Sequence, residues 1–274
     1  MGRIWLVIFL LILRHDLLCP GRIQNQVKAI SLILLPGLDG TGLLFEPLLP
    51  CLPAWLHPCV VRYPADEPLG YEQLLPRVEA ALPQRAPFLL LGESFSGPLA
   101  ILAASRAPEG LLGVILCASF ALNPMPVRSK RVGMLARPSV IRFFPFGVLS
   151  RALLGMRPVV ELRERLRDVV LQVQPAVIAA RLRAVAAVDV RPALKSCRVP
   201  MLYLAARRDA IIPRGSREAI RRAYPALRVV RLDAPHMLLQ SAPAQAARAI
   251  SAFAASAPAP ERRRRNTGPT PVRS

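Results

Sequence analysis

The sequence predicts an α/β fold, a doubly wound, mostly parallel sheet with a helical cap insertion. Three observations carry this. Six short apolar runs recur along the chain, and none of them alternates with polar residues. Helix-like segments separate the runs. One long interval, about 123–192, holds no convincing strand and is punctuated by prolines. Runs of Val, Ile and Leu without alternation mark strands buried on both faces. Strands that alternate with helices assemble into a parallel sheet.

Residues 1–28 form an apolar N-terminal segment of open status. Ile4–Leu13 is an apolar run of ten residues after Arg3. A bilayer takes about 20 residues to cross, so stable membrane insertion is not expected. The run suits the h-region of a signal peptide. Against that, Arg14-His15-Asp16 follows at once, no A-x-A-like cleavage site appears, and Cys19 follows Leu17-Leu18 instead of a small residue. A signal, a membrane anchor and a start site placed too far upstream all stay open. The reading adopted is a cytoplasmic protein, with export or membrane association through residues 4–13 as the alternative.

The folded domain is expected over 29–256. Ala29–Leu35, Cys59–Tyr63, Phe88–Leu91, Leu112–Cys117, Pro200–Ala205 and Leu227–Leu232 read as strands. Tyr71–Ala81, Ser96–Ala107, Arg214–Ala223 and Ala242–Ala255 read as helices. Inside the insertion, Glu161–Val173 has apolar residues at helical spacing with charge elsewhere. An all-helical insertion at this point is placed to cover a site at the strand ends. From 257 to 274 the chain turns to Pro and Arg and reads as a disordered basic tail.

The chain has 37 basic and 17 acidic residues, a net charge of +20. The excess is almost all Arg and is spread through the folded region. No basic stripe interleaved with aromatics accompanies it, nor any zinc-finger, RRM or KH signature, so nucleic acid is not an expected partner. The five cysteines, Cys19, Cys51, Cys59, Cys117 and Cys197, form no C-x-x-C pair. Metal spacing is absent, and free thiols are expected over a disulfide framework. Cys51 and Cys59 would pair only in an oxidising compartment.

Four stretches carry chemistry. In FLLLGESFSGPL (Phe88–Leu99), an apolar strand runs straight into Gly92-Glu93-Ser94-Phe95-Ser96-Gly97 and a helix follows. Small residues two positions either side of Ser94 let the chain turn sharply there. Ser96 as the exposed serine would put bulky Pro98 at a small position, so Ser94 is preferred. In LILLPGLDGTGLLF (Leu32–Phe45), a strand ends at Pro36-Gly37. Its glycines are spaced G-x-x-G-x-G, which fits neither a dinucleotide loop nor a P-loop. Of the three histidines, His15 lies in the N-terminal segment and His57 precedes a strand. His236 follows the last strand in LDAPHMLLQ. Asp209 follows the penultimate strand, 115 residues after Ser94 and 27 before His236. Asp189 and Asp233 are less well placed.

These stretches resemble the α/β-hydrolase superfamily, from roughly Ile30 to Phe253, with G-x-S-x-G as the nucleophile elbow and the order Ser, Asp, His. LPGLDGTG with GESFSG is similar to a group of bacterial serine hydrolases of mostly unassigned substrate. The departures are Pro-Gly where many relatives have His-Gly, and Ser96 for the second glycine. The resemblance implies a catalytic triad of Ser94, Asp209 and His236. It also implies an oxyanion hole from the backbone N–H groups of Leu38 and Phe95, with Asp39 as second choice for Leu38. It implies no metal and no organic cofactor. The partner would be a small-molecule acyl ester or thioester. An acyltransferase with the same triad and a non-catalytic basic binding protein are the alternatives. Phe143, Phe144, Phe146, Leu149, Leu153 and Leu154 in the insertion would line a lipophilic acyl pocket or fasten the insertion to the sheet. Acyl length and oligomeric state are not written in the sequence.

Overall fold

A computed structural model describes residues 29–124 and 136–257. The apolar N-terminal segment and residues 258–274 of the basic tail lie outside the described residues. Six strands form one sheet: β1 (Ile30–Leu35), β2 (Leu56–Val60), β3 (Phe88–Glu93), β4 (Leu111–Cys117), β5 (Met201–Arg208) and β6 (Arg228–Pro235). Their order is β2-β1-β3-β4-β5-β6, and every neighbouring pair is parallel.

The strands alternate by face rather than by polarity. Ile33, Leu35, Leu90, Val114, Leu116 and Tyr203 face one layer of helices. That layer holds α1 (Tyr71–Ala80) and α2 (Gly97–Ser105). Leu32, Leu34, Leu89, Leu91, Ile115 and Leu204 face the other, with Phe45 and the C-terminal helix. Both faces are therefore dry, which explains the unbroken apolar runs.

Strand β2 departs from the expected Cys59–Tyr63. It begins at Leu56, so His57 and Pro58 lie in the strand and pair with Ser31 and Leu32. Its pattern hides it, because only Leu56 is buried and His57, Pro58 and Cys59 are exposed. Pro58 is tolerated because β2 is an edge strand, where one ladder donor is dispensable.

Between β4 and β5 the described residues form five helices: α3 (Pro138–Arg142), α4 (Phe146–Leu154), α5 (Val160–Gln172), α6 (Pro175–Ala187) and α7 (Arg191–Ser196). One isolated bridge, Leu122 with Asp189, is the only β pairing in this interval among the described residues. After β5 come α8 (Arg214–Ala223) and, beyond β6, α9 (Leu238–Ser241) and α10 (Pro243–Ala255). Among the described residues no single helix is long and apolar enough to cross a bilayer.

The strand order positions the site. From β1 the chain steps outward to β2, then returns to the opposite side of β1 as β3. The loops after β1 and β3 therefore diverge at a topological switch point, where open α/β sheets place ligands. Leu35 pairs with Gly92 there, which sets the two loops side by side.

Candidate active site

Strand β3 ends at Glu93, and Ser94 turns the chain with φ of +47°. A non-glycine residue in this region is strained, by about 1–3 kcal/mol, and persists only where its surroundings enforce it. The enforcement is visible. A Cβ at Gly92 would lie 2.6 Å from the Ser96 carbonyl oxygen, so position 92 admits only glycine. The Ser119 hydroxyl donates to the Ser94 carbonyl at 2.6 Å. Ser119 is itself fixed by Tyr203, whose hydroxyl accepts from the Ser119 N–H at 3.1 Å and donates to its carbonyl at 2.7 Å. Gly97 makes room for Ser119, since a Cβ there would overlap its hydroxyl. The Tyr71 hydroxyl donates to the Phe95 carbonyl at 3.0 Å, and the two rings stack with centroids 4.7 Å apart.

Ser96, which stands where relatives carry glycine, is fully buried and has a task of its own. Its hydroxyl donates to the Pro36 carbonyl and accepts from Tyr63 at 2.8 Å. The elbow is thereby tied to the end of β1. Burial pushes the Tyr63 hydroxyl well above the usual phenol range, so it stays a donor.

The structure brings Ser94, His236 and Asp209 together. His236, after β6, is 5% exposed. Its Nδ1 lies 2.9 and 3.1 Å from the two carboxylate oxygens of Asp209. A carboxylate accepts only, so Nδ1 carries the proton. Nε2 is then free to accept from the Ser94 hydroxyl at 2.9 Å. Asp209 Oδ1 also accepts the N–H groups of Ile211 and Ile212, both at 2.9 Å, which fixes the carboxylate. The weaker candidates fall elsewhere: Asp189 pairs with Arg191 and Asp233 with Arg208.

The loop after β1 turns at once, with the Gly40 N–H donating to the Gly37 carbonyl at 3.1 Å. Leu38 and Asp39 at its tip are half-buried. Asp39 caps the next turn through Thr41, accepting its N–H at 2.8 Å and its hydroxyl at 2.5 Å. Phe95 opens a helical turn at the other side, where the first N–H groups have no helical partner.

Glu93, next to Ser94, is buried and accepts from Gln240 Nε2 at 2.9 Å. Burial raises its carboxyl from the usual range to about 7, against the opposing pull of the Gln240 hydrogen bond. The buried Gln240 Oε1 has no partner among the described residues.

Ser119, Tyr203, Tyr71, Tyr63 and Gln240 are supports that spacing along the sequence does not single out. Their signals are weak. A tyrosine in an apolar strand usually just fills the core, and a serine after one usually just turns the chain.

Beside His236 the cap contacts the site at two places. Met237, beside His236, donates its N–H to the Leu153 carbonyl at 3.0 Å. Leu154 joins Leu44, Leu166, Val169 and Met237 in a small buried cluster, with Phe146 and Leu153 packed against it. Phe143 and Phe144 do not join it and are 80% and 51% exposed. A cavity of about 460 Å³ reaches the three residues only through Asp209 and is otherwise lined by residues such as Arg207, Arg214, Arg217 and Arg231. Among the described residues, no group of three or more His, Cys, Asp or Glu side chains gathers as a metal site.

This arrangement, on this sheet, is that of a hydrolase. The profile of the Alpha/beta hydrolase family matches residues 29–249, and the chain belongs to that family. The chain is 33% identical over 169 residues to the biotin biosynthesis bifunctional protein BioHC of Cellvibrio japonicus, a match covering 58% of this chain and 33% of that protein. It thus spans about a third of that curated relative's length. The fold is similar to that of a bromoperoxidase from Bacillus anthracis, with TM-score 0.72, 16% identity, and 82% of this chain and 92% of that one covered. It is also similar to a thermophilic esterase from Thermogutta terrifontis, with TM-score 0.69, 21% identity, and 82% and 89% covered. At these identities the two structures speak for the fold alone.

Proposed function

We propose that the chain is a serine hydrolase that cleaves a carboxylic ester or thioester through an acyl-enzyme on Ser94. One observation carries the reading: the continuous hydrogen-bonded chain from Ser94 Oγ through His236 to Asp209. It lies at the C-terminal edge of the sheet, beside a loop with N–H groups at its tip.

In this reading His236 takes the Ser94 proton as Oγ attacks the acyl carbonyl, and Asp209 holds the ring and stabilises its charged form. The N–H groups of Phe95 and Leu38 receive the oxyanion, each contributing about 3–4 kcal/mol to the barrier reduction. His236 then protonates the leaving alcohol or thiol and activates a water for deacylation. The insertion, about 123–192, acts as the cap over the acyl group. Leu153 and Leu154 meet Met237, the residue after His236, by a main-chain hydrogen bond and by packing in one small cluster. Ester chemistry is supported by family membership and by the esterase among the similar folds. The proposed compartment is the cytoplasm, in keeping with four free thiols at Cys51, Cys59, Cys117 and Cys197.

The test is fluorophosphonate labelling together with a panel of acyl esters and thioesters of graded chain length. Wild type should label and turn over at least part of the panel, and Ser94→Ala should do neither. Equal labelling of both removes Ser94 from the mechanism. Product analysis with an added alcohol separates hydrolysis from acyl transfer.

A further inference from the structure

Arg181, on α6 of the cap, is the largest fully buried side chain among the described residues, at 0% exposure. Every other described arginine is half-buried or exposed. Its guanidinium reaches out of the cap into the loop after β1. Nη1 donates to the carbonyls of Leu38 at 2.9 Å and Asp39 at 2.7 Å. Nη2 donates to the Pro64 carbonyl at 2.8 Å, and the group lies 5.6 Å from the Tyr63 ring centroid. Gly40 is shaped to admit it, since a Cβ there would collide with Nη1. Burying a guanidinium is costly unless its protons are used; here the two Nη groups make three hydrogen bonds to main-chain carbonyls, two of them in one short turn, while Nε has no partner among the described residues.

In a trans peptide the N–H points opposite to the C=O. Fixing a carbonyl therefore aims the N–H of the next residue. The Gly40-to-Gly37 hydrogen bond fixes the plane that carries the Leu38 N–H. Arg181 fixes the plane that carries the Asp39 N–H, and the plane after it. We infer that Arg181 is a positioning residue: through the Leu38 and Asp39 carbonyls it clamps the turn that the Gly40-to-Gly37 bond closes, and so holds the Leu38 N–H, with the Asp39 N–H beside it, toward the oxyanion. The inference rests on the proposed function and deepens it, because it makes the cap part of the oxyanion hole as well as a cover. Arg181 never touches the substrate. Arg183, on the same helix, donates to the Ala136 carbonyl at 3.0 Å within the cap and has no such role.

The experiment compares wild type, Arg181→Lys, Arg181→Met, Gly40→Ala, Arg183→Ala and Ser94→Ala. Active enzyme is counted by fluorophosphonate titration and folding is checked by thermal melting. Two readouts are taken: kcat and KM on the best ester, and the inhibition constant of a trifluoromethyl ketone with the same acyl chain. The ketone binds as a tetrahedral oxyanion and so reports the hole directly. Arg181→Met should lower kcat roughly a hundredfold, and weaken the ketone in parallel, with KM little changed. Arg181→Lys keeps the charge but lacks the fork, and should lose roughly tenfold in both. Gly40→Ala should reproduce the pattern from the other side of the contact. Arg183→Ala should leave the ketone affinity at the wild-type value. The inference is overturned if the Arg181 variants keep wild-type kcat and ketone affinity per active site, or if KM alone changes. Should Ser94→Ala retain turnover, the proposed function fails first, and the Arg181 inference with it.

Discussion

The sheet edge and the cap differ in how their residues are held. At the edge, nearly every polar group of the elbow has a named partner. Ser119 holds the Ser94 carbonyl, Tyr71 the Phe95 carbonyl, and Ser96 the end of β1. In the cap, large apolar side chains stand in solvent: Val140, Phe143, Phe144, Val148, Met156, Val159, Val160 and Leu171 are all more than half exposed. The site geometry is thus built into strand ends and short loops of the sheet, where one atom's displacement is resisted from several directions. The cap touches that geometry through few contacts, and its polar ones come from Arg181 and the Leu153 carbonyl. Rigid scaffold and adaptable cover are different materials, and substitutions should separate them.

The largest effect is expected at the elbow. Ser94→Ala should lower kcat/KM by roughly 10⁴-fold or more, which is about 5 kcal/mol of barrier, without loss of melting temperature. A retained melting point with retained activity would break the comparison at its strongest end.

Next comes Glu93. Its carboxyl holds a proton more tightly in the folded chain than in the unfolded one, from the ordinary value of 4.5 up to about 7. The folded state therefore binds more protons across that window, and stability falls as pH rises from about 4.5 to about 7. The drop is about 3 kcal/mol at most, and no more is lost to Glu93 at higher pH. Glu93→Gln should remove most of this slope, since the amide is neutral throughout and can still accept from Gln240. Urea midpoints at about pH 5 and about pH 8 check it. An unchanged slope in the variant would show that another group titrates.

Gly92→Ala sharpens the contrast by a steric route. The new methyl would meet main-chain atoms of Ser96, which cannot swing aside. A loss of roughly 1–3 kcal/mol in stability is expected, with labelling of Ser94 impaired as the elbow shifts. The smallest effect belongs to the cap: Phe143→Ser should change stability by less than about 0.5 kcal/mol, as for an exposed site. A cost above about 2 kcal/mol would mean that Phe143 is covered in solution, and the difference between the two regions would shrink.

Much of this is written in the sequence, for physical reasons that also mark its limits. Buried strands must be apolar on both faces, so four of the six stand out as unbroken runs, while β6, at the other edge, carries Arg228 and Arg231 between its apolar residues. Strand β2 starts three residues before the run that marks it, because an edge strand need not be apolar and Pro58 argues against a strand. Ser94, Asp209 and His236 are legible because each ends a strand, and backbone geometry restricts what can stand there. Ser96 reads as a tolerable stand-in for glycine, whereas its hydroxyl bridges Pro36 and Tyr63. Arg181 cannot be singled out. In a chain with 37 basic residues, nearly all Arg, one more on a helix carries no mark, and only its depth sets it apart. Side chains that act through the main chain of a distant loop leave no local spacing to find.

The grip of Arg181 on the Leu38 and Asp39 carbonyls has a practical consequence for engineering. Exchanging the cover for one from a related enzyme, to admit a different acyl group, would import new walls but remove this clasp. Such a chimera should bind its intended guest and turn it over slowly. Transplanting a guanidinium at the matching depth, opposite a side-chain-free position 40, should be the repair that restores speed.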